Sequence, residues 1–353
     1  MSAALPVLKV AVVGCGAIAW QHLPFLARSE RCRLIAVCDR SQALARHVQH
    51  RFGAEAAFVD FHDLLASSVP DVVHILTPPD THVALVRTAL LAGCHVICEK
   101  PMTGSATETR QLLAEARQRG LLLCESRNYL FNDPILELDR MITEGRLGTV
   151  VECDLILSVD FLSGTFGDPG LRGPAVRLKG GAIHDFLPHL AYLYLHFTGY
   201  RPIRDVRGYL DNLSGNERCG SDFLDVLIAS QDARGRLRVA SDVRPDSFRL
   251  ILRGTRGTIE TDLFNPAFRF EGGPNVGKRS FIGQFATGGT YLAAGVRNFR
   301  NKVSGQTTYH GLPRMLDAIY RALQEGAPAP FEEAQMLTTA ELVDRVLGAG
   351  CVA

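Results

Sequence analysis

The chain has 353 residues, of which 46% are hydrophobic and 21% charged, and its formal net charge is +1. This length exceeds what one ordinary hydrophobic core organises, so it predicts two domains. A charge balance so close to neutral gives no support for binding to nucleic acid or to a membrane surface. We therefore expect a globular protein with neither of those partners.

Targeting and cysteine patterns favour a cytoplasmic location. The first 13 residues contain one lysine and lead into a strand, without the charged head, long apolar segment and cleavage site of a signal peptide. The most apolar helix-like run, Phe186 to Phe197, is short and contains two histidines, so no membrane span is predicted. Nine scattered cysteines without a C-x-x-C pair indicate a reducing compartment, and no metal site is predicted.

The segment from Leu8 to Ala19 has the pattern of a dinucleotide-binding turn. Leu8 to Val13 is a predicted strand, and the sequence G-C-G-A-I-A follows it at once and opens a helix. Gly14 makes the tight turn, Gly16 lets the backbone approach a pyrophosphate, and Ala19 keeps the helix close to the sheet. The N-terminus of the helix then faces the phosphates. A glycine turn that binds no cofactor is the alternative interpretation.

Asp39 follows the next predicted strand, Arg33 to Cys38. An acidic residue at that distance is placed to bind the ribose hydroxyls of an adenosine. This favours NAD, because a 2′-phosphate would meet the carboxylate. Arg40 and Ser41 would receive that phosphate if Asp39 turned away, so NADP stays open as the alternative cofactor.

Strands and helices continue to alternate up to Cys124, which predicts a parallel, doubly wound sheet. A buried strand, His95 to Cys98, ends in Glu99, Lys100 and a proline. Open parallel sheets bind ligands at the carboxyl ends of their strands, so Lys100 is placed at the ligand-binding edge. Ser105, with Glu108 three residues later, has the pattern of a capping box that starts a helix.

The motifs G-C-G-A-I-A, T-P-P-D-T-H and C-E-K-P, in this order and spacing, resemble those of the glucose–fructose oxidoreductase / inositol dehydrogenase / MocA (Gfo/Idh/MocA) family of sugar and cyclitol dehydrogenases. The resemblance implies that Lys100 lies beside the nicotinamide and the substrate hydroxyl, and that the threonine–proline loop lies along the cofactor. Pro79 departs from the asparagine usual in the family. The predicted cofactor contacts are Gly14, Gly16, Ala17, Ile18, Asp39, Arg40, Thr77, Pro79, His82, Glu99 and Lys100.

Residues 1–128 are predicted to form the NAD(P)-binding Rossmann domain, and residues 129–353 an α+β domain for substrate binding and oligomerisation. Whether the last helices pack on the first domain stays open. Short predicted strands, with turns at residues 232–235 and 254–257, indicate a largely antiparallel, open sheet. The resemblance implies that this sheet packs on a partner subunit in a homodimer or homotetramer. A large apolar sheet face left exposed would otherwise favour aggregation.

The segment K-G-G-A-I-H-D-F-L-P-H, residues 179–189, holds the candidate proton-transfer group. Asp185 and His189 are four residues apart and share one face of a helix. A carboxylate beside an imidazole fixes its tautomer and suits proton exchange near neutral pH. A histidine satisfied within an apolar helix is the alternative. The family carries a similar G-G-x-x-x-D-x-G-x-H segment, although Leu187 stands where a small residue is usual. The predicted substrate contacts are Lys100, Tyr129, Arg172, Lys179, Asp185 and His189.

A glycine-rich stretch from Gly272 to Gly289 is predicted as a loop. Its first part, Gly272 to Arg279, nearly spells a phosphate-binding P-loop. Arg279 stands at the Ser/Thr position, and no helix is predicted to follow before Tyr291. A loop that covers a site or a subunit contact is therefore favoured.

The resemblance implies an oxidoreductase that transfers hydride between a nicotinamide and a secondary alcohol or ketone of a sugar, cyclitol or nucleotide sugar. In this hypothesis His189, oriented by Asp185, exchanges the hydroxyl proton and Lys100 stabilises the oxygen, with the two roles open to exchange. Two alternatives remain. One is a glycosidase or lyase that uses bound NAD transiently. The other is a non-catalytic, cofactor-sensing regulator, which would not need Lys100, Asp185 and His189.

Overall fold

The computed structural model describes residues 5–163, 170–171, 173–273 and 280–349. The chain divides into two units. The first unit comprises Met1–Asn128 and Gly311–Ala340, and the second comprises Tyr129–His310 and Glu341–Ala353. The first unit therefore takes in part of the C-terminal helical region as well as the N-terminal segment.

The first unit contains a six-stranded parallel sheet with the order β3-β2-β1-β4-β5-β6. Its strands are β1 (Leu8–Val13), β2 (Cys32–Cys38), β3 (Ala56–Phe58), β4 (Val72–Ile75), β5 (His95–Cys98) and β6 (Leu123–Glu125). Its helices are α1 (Ala19–Leu26), α2 (Gln42–Phe52), α3 (Phe61–Ser67), α4 (His82–Leu91), α5 (Ala106–Gln118), α9 (Leu312–Glu325) and the residues of α10 (Glu333–Ala349) up to Ala340. The predicted doubly wound sheet is confirmed.

The order of this sheet determines where a ligand binds. Strand β1 lies between β2 and β4, so the chain winds outward in opposite directions from the β1–β4 pair. Such a reversal opens a crevice at the carboxyl ends of the two strands. The central strands are largely apolar, and Val12, Val73 and Val96 have no exposed surface. Strands covered on both faces require that composition.

Local capping follows the sequence closely. Ser105 is the N-cap of α5, and its Oγ accepts a hydrogen bond from the Glu108 N–H at 3.3 Å. The Glu108 carboxylate accepts in return from the Gly104 N–H at 3.1 Å and from the Ser105 hydroxyl at 3.1 Å. The predicted capping interaction is therefore confirmed, and it includes the residue before the N-cap.

The second unit contains a seven-stranded sheet with the order β13-β12-β11-β7-β10-β9-β8. Its strands are β7 (Val150–Ser158), β8 (Ile203–Asp211), β9 (Phe223–Ser230), β10 (Arg234–Ala240), β11 (Ser247–Gly254), β12 (Gly257–Asp262) and β13 (Arg269–Gly272). Its remaining helices are α6 (Asp133–Thr143), α7 (Gly181–Thr198) and α8 (Ser280–Val303). Only the β7–β10 pair is parallel among the described strands of this sheet, so the predicted, largely antiparallel sheet is confirmed.

The two faces of this sheet differ in chemistry. Leu155, Leu237 and Leu250 point to the buried face, where the hydrophobic core with α7 forms. The opposite face carries arginine–carboxylate pairs along neighbouring strands, namely Arg234–Glu152, Arg253–Asp154, Arg236–Asp225 and Arg249–Glu260. The premise of a large apolar open face is therefore wrong. Charged residues alternate with the buried leucines because successive side chains of a strand point to opposite faces.

The stretch from Gly272 to Gly289 is not the continuous loop that we predicted. Gly272 ends strand β13, and α8 begins at Ser280 and runs through Gly288 and Gly289. Residues 274–279, which make up most of the P-loop-like stretch, lie outside the described residues. One objection to a P-loop, the lack of a following helix, is thus wrong. The other, Arg279 at the Ser/Thr position, stands.

Two further observations concern the whole of the described chain. No helix in these residues combines the length and the apolar character that a membrane crossing needs. Eight cysteines lie within the described residues, and all of them are buried as free thiols: Cys15, Cys32, Cys38, Cys94, Cys98, Cys124, Cys153 and Cys219.

Candidate active site

The turn after β1 has the shape that a bound phosphate needs. Gly14 has φ +96°, and a Cβ there would lie 2.6 Å from the Leu76 carbonyl oxygen, so only glycine fits. Gly16 is exposed, and a Cβ built on it meets no atom within 4 Å. Helix α1 begins three residues later, and no described side chain caps its N-terminus. Open space above an uncapped helix N-terminus fits the pyrophosphate of a dinucleotide.

Asp39 is held against this turn. Its Oδ2 accepts a hydrogen bond from the Cys15 N–H at 2.8 Å, and its Oδ1 accepts one from the Ser41 N–H at 2.8 Å. Each carboxylate oxygen can accept a further bond, so the ribose hydroxyls of an adenosine remain suitable donors. Arg40 beside it is exposed. The carboxylate has not turned away from the glycine turn, which is the arrangement that favours NAD.

The two glycines of the turn give a paired prediction. Gly16→Val places a side chain in open space, so we expect an unchanged melting temperature and an NAD affinity weakened by about tenfold or more, or at least about 1.4 kcal/mol. Gly14→Ala forces a strained φ and a clash, so we expect the first unit to lose about 1–3 kcal/mol of stability. Calorimetric titration with NAD measures the affinity, and fluorescence of Trp20, the single tryptophan, reports unfolding of the first unit. A Gly16→Val variant that binds NAD as tightly as the parent would contradict the phosphate assignment.

The predicted loop after β4 is joined to the segment after β5 by His82. Thr77 is half-buried, and its hydroxyl is 2.6 Å from that of Thr81. Pro79 begins a short 3-10 turn, Pro79–Thr81, that leads into α4. His82 has no exposed surface, and its nitrogens lie 2.8 Å from the Thr77 carbonyl oxygen and 2.9 Å from that of Pro101. The ring thus connects the loop after β4 to the segment after β5, both at the carboxyl ends of the strands. The predicted contact of His82 with the cofactor stays a prediction.

Lys100 is the second residue after β5 and is half-buried. The preceding Glu99 is 6% exposed. Its Oε1 lies 3.1 Å from His22 Nε2, and its Oε2 accepts the Lys100 backbone N–H at 3.2 Å. Pro101, joined to Lys100 by a cis peptide bond, is buried. The Glu99 carboxylate therefore holds the backbone from which the lysine side chain extends.

In the second unit, α7 carries the predicted proton-transfer residues. His189 is 7% exposed, and its Nδ1 lies 2.7 Å from the Tyr192 hydroxyl. Its ring makes an edge contact with Tyr129, at 4.8 Å between centroids. Asp185 lies one turn earlier on the same helix and is half-buried. Its predicted interaction with His189 stays a prediction. Tyr192, three residues after His189 on the same helix, is a partner of the ring that this spacing could have indicated and that we did not predict.

The glycine pair that opens α7 is needed for close packing. Gly181 has φ +59°, and a Cβ there would lie 2.1 Å from the Cys219 carbonyl oxygen. A Cβ on Gly180 would lie 2.5 Å from Leu347 Cδ2. Leu187, where a small residue is usual, is fully buried in the core of the second unit. The start of the helix is therefore fixed by its surroundings.

The other predicted substrate contacts differ in their exposure. Tyr129 is 7% exposed, and burial raises the pKa of its hydroxyl well above the ordinary value. Lys179 is exposed at the start of the glycine pair. Arg172 lies outside the described residues. Tyr129 thus belongs to the surroundings of His189, and a substrate contact by any of the three stays a prediction.

The fold and these residues define a class of protein. A parallel sheet with reversed order, a glycine turn before an uncapped helix, an acidic residue after β2 and a lysine after β5 characterise the first unit as a dinucleotide-binding Rossmann domain. Residues 8–126 match the model described as "Oxidoreductase family, NAD-binding Rossmann fold", and residues 135–260 match the "GFO/IDH/MocA C-terminal domain". Together these segments span more than two thirds of the chain. The chain belongs to the Gfo/Idh/MocA oxidoreductase family.

Individual relatives share this organisation. The chain is 32% identical over 200 residues to a dTDP-3,4-didehydro-2,6-dideoxy-alpha-D-glucose 3-reductase of Saccharopolyspora spinosa, covering 54% of this chain and 56% of that protein. It is 26% identical over 222 residues to a D-glucoside 3-dehydrogenase of Escherichia coli strain K12, covering 60% of each. The matches thus span little more than half the length of these curated relatives. The crystal structure of the WlbA dehydrogenase from Bordetella pertussis, a complex with NADH and UDP-GlcNAcA, superposes with a TM-score of 0.79 at 18% identity, covering 98% of this chain and 95% of that one.

Proposed function

We propose that the protein is an NAD-dependent oxidoreductase that interconverts a secondary alcohol and a ketone on a sugar or nucleotide sugar. The names of the two curated relatives, a 3-reductase and a 3-dehydrogenase, favour position 3 of a hexose ring as the reacting carbon. The nicotinamide, when bound, accepts or supplies the hydride. The protein has to bind and orient the nicotinamide and to transfer the proton of the substrate hydroxyl.

One observation carries this proposal. The glycine turn, the Thr77 loop and Lys100 follow β1, β4 and β5, which are consecutive neighbours in one parallel sheet. All three therefore lie along a single carboxyl edge, and adjacent strands are about 4.8 Å apart. The phosphate-binding turn and the backbone of Lys100 thus stand about 10 Å apart on the edge where open sheets bind their ligands.

Lys100 is proposed to bind the reacting oxygen. Its ammonium group carries three donors and a positive charge, and it therefore stabilises the negative charge that develops on an alcohol oxygen as its proton leaves. The charge is most effective where water is restricted, and Lys100 is half-buried. Its role as the acid or base itself, with His189 as the binding group, is the alternative form of the same mechanism.

His189 is proposed to accept the hydroxyl proton at Nε2. Its Nδ1 lies against Tyr192, so a neutral ring that donates Nδ1–H to the tyrosine oxygen has an unprotonated Nε2. Protonation at Nε2 then leaves the Tyr192 contact intact. Asp185 is proposed to stabilise the charged ring from the preceding turn of the helix.

The experiment that tests the function is a substrate panel with both cofactors. Glucosides, cyclitols and dTDP- and UDP-sugars are each incubated with NAD, NADP and their reduced forms, and the absorbance of reduced nicotinamide is followed. We expect net reduction or oxidation with at least one sugar, and a preference for NAD because of Asp39. Turnover without added cofactor and without net absorbance change would indicate the glycosidase alternative. Cofactor binding without any turnover would indicate the regulator.

Tyr192→Phe tests the assignment of His189. The variant loses the partner of Nδ1, so we expect kcat to fall by about tenfold through the wrong tautomer, with KM little changed. Stability should fall by about 1 kcal/mol. Tyr194→Phe is the matched control, because Tyr194 is equally buried on the same helix and its hydroxyl is 2.7 Å from Ser230 Oγ. Equal effects of the two substitutions on kcat would contradict the role of His189.

We also propose that the protein forms a homodimer or homotetramer through the sheet of the second unit. Support comes from the open face, where Tyr209 and Leu227 are 74% and 62% exposed among the arginine–carboxylate pairs. Aromatic and apolar residues within a polar surface are typical of interface cores. Light scattering of the full chain at several salt concentrations measures the assembly and its dependence on the ion pairs.

A further inference from the structure

A hydrogen-bonded chain of four side chains crosses the interior of the first unit and ends at the backbone of Lys100. His22 of α1, His74 of β4 and Tyr320 of α9 have no exposed surface. The Tyr320 hydroxyl lies 2.9 Å from His74 Nε2, and His74 Nδ1 lies 3.1 Å from His22 Nδ1. His22 Nε2 lies 3.1 Å from Glu99 Oε1. Because Glu99 Oε2 accepts the Lys100 N–H, the chain is continuous from α9 to Lys100.

The charge of Glu99 gives this chain its direction. Burial raises the pKa of Glu99, but the hydrogen bond from His22 and the positive charges of His22 and Lys100 outweigh it, so the pKa lies below the ordinary value. The other ionisable groups around Glu99 are Cys98 of β5, whose thiol pKa is raised by burial, His82 of α4 and Glu125 of β6. Burial lowers the pKa of His82, and Glu125 is paired with Arg127 at 3.2 Å. The Glu99 carboxylate is thus an anion that only accepts hydrogen bonds.

Because Glu99 is only an acceptor, His22 must carry a proton on Nε2. Burial holds the pKa of His74 well below its ordinary value, so His74 has a single N–H. With His22 neutral, His74 donates from Nδ1 to His22, and Tyr320 donates to His74. When both nitrogens of His22 carry protons, the bond between His22 and His74 and the bond between His74 and Tyr320 reverse direction. Both arrangements keep the His22 Nε2–H bond to Glu99.

We propose that Glu99 and His22 are positioning residues for Lys100, and that His74 and Tyr320 hold His22 in the orientation that this requires. The inference rests on the proposed function. Glu99 fixes the backbone of the lysine through Oε2, and its negative charge favours the charged ammonium form. Four polar groups buried without such a role are costly compared with apolar residues of similar volume.

The first test needs no substrate. Nitrogen-15 NMR of the imidazole rings in the full chain, with His22 and His74 assigned through His22→Gln and His74→Gln variants, reports which nitrogens carry protons. We expect His22 Nε2 to be protonated at every pH at which the protein is folded, and His74 to carry one proton. An unprotonated Nε2 on His22, or a doubly protonated His74, would overturn the proposal.

The second test is Glu99→Gln. The amide keeps the volume but removes the charge, and it can also donate to His22 and so permits the reverse polarity. We expect kcat to fall by about 10- to 100-fold with KM for the sugar nearly unchanged. On the alkaline limb of the pH profile, the pH at which kcat falls should move about one pH unit lower. The reason is that Lys100 then lacks the nearby negative charge that favours its charged form. A purely structural role would lower stability without moving that limb.

Glu125→Gln is the matched control. Glu125 is also a buried carboxylate, at the end of the neighbouring strand β6, but its charge is balanced by Arg127. We therefore expect Glu125→Gln to lower stability and to leave the alkaline limb of the pH profile unchanged. A Glu99→Gln variant with the parent's kcat and pH profile would overturn the proposal. Failure of the proposed function looks different, because the parent itself would then turn over no sugar. In that case the nitrogen-15 NMR measurement would still test the predicted protonation of His22 and His74 in the hydrogen-bonded chain.

Discussion

Replacing Lys100 with alanine is expected to lower kcat for the best sugar substrate by about 10²- to 10⁴-fold, the range for loss of a positioned proton-transfer or charge-stabilising group. The affinity for NAD should change far less, since the glycine turn and Asp39 remain. Steady-state rates and calorimetric titration with NAD separate the two effects. Loss of turnover with retained binding is the signature of an interaction made mainly in the transition state.

Lys9→Ala provides the control for that experiment. Lys9 is an exposed lysine near the amino end of β1, away from the carboxyl ends of the strands. Its replacement should leave kcat unchanged. Combining Lys100→Ala with His189→Asn tests whether the two residues act in one step, because residues that act as a unit lose much less together than the sum of their separate losses. A Lys100→Ala variant as fast as the parent would show that the mechanism is wrong.

Acid should destabilise the first unit strongly, starting below pH 6.5. Burial lowers the pKa values of His74, His82 and His95 below their ordinary value of 6.5. Below that pH the unfolded chain binds protons that the folded state does not, so the free energy of unfolding falls as pH falls. Each histidine contributes at most about 1.4 kcal/mol per pH unit. Denaturant unfolding followed by Trp20 fluorescence between about pH 7.5 and 5.5 measures the slope.

Glu99 extends this acid sensitivity. Its pKa is depressed below 4.5, so its contribution to stability is present above that value and is lost as pH falls further. His74→Gln should reduce the slope between about pH 7.5 and 5.5, because the amide takes up no proton. Thr109→Val, which removes a buried hydroxyl 2.6 Å from that of Thr103, should lower stability equally at every pH and keep the parent's slope. An unfolding midpoint that does not depend on pH would refute the prediction.

The sequence predicted those parts of the fold that depend on near neighbours. The glycine turn is recognisable because a positive φ at Gly14 is a property of one residue. The capping residues of α5 lie three positions apart, and the alternation of strands and helices is written in the apolar pattern of each segment. The resemblance to the family added roles for Lys100 and His189, which the residues alone left open between a functional and a structural interpretation.

The errors arose where a segment's state depends on what lies next to it. The adjacent glycines Gly288 and Gly289 disfavour a helix, yet α8 runs through them from Ser280 to Val303. Strand β13 has four residues and is defined by its pairing with β12 rather than by its own pattern. The open sheet face was expected to be apolar, but ion pairs between strands far apart in sequence, such as Arg253 with Asp154, occupy it.

By itself, the sequence determined the Rossmann topology of the first unit, the glycine turn, the acidic residue after β2 and the lysine at the end of β5. These features follow from local backbone geometry and periodicity. Tyr192 lies three residues after His189 on the same helix, so its contact is local, although we did not predict it. Only the tertiary structure joined Glu99 to His22, His74 and Tyr320. The bonds of that chain connect residues separated by 77, 52 and 246 positions. Side chains that distant meet because packed helices and strands bring them together, and no spacing along the chain records that meeting.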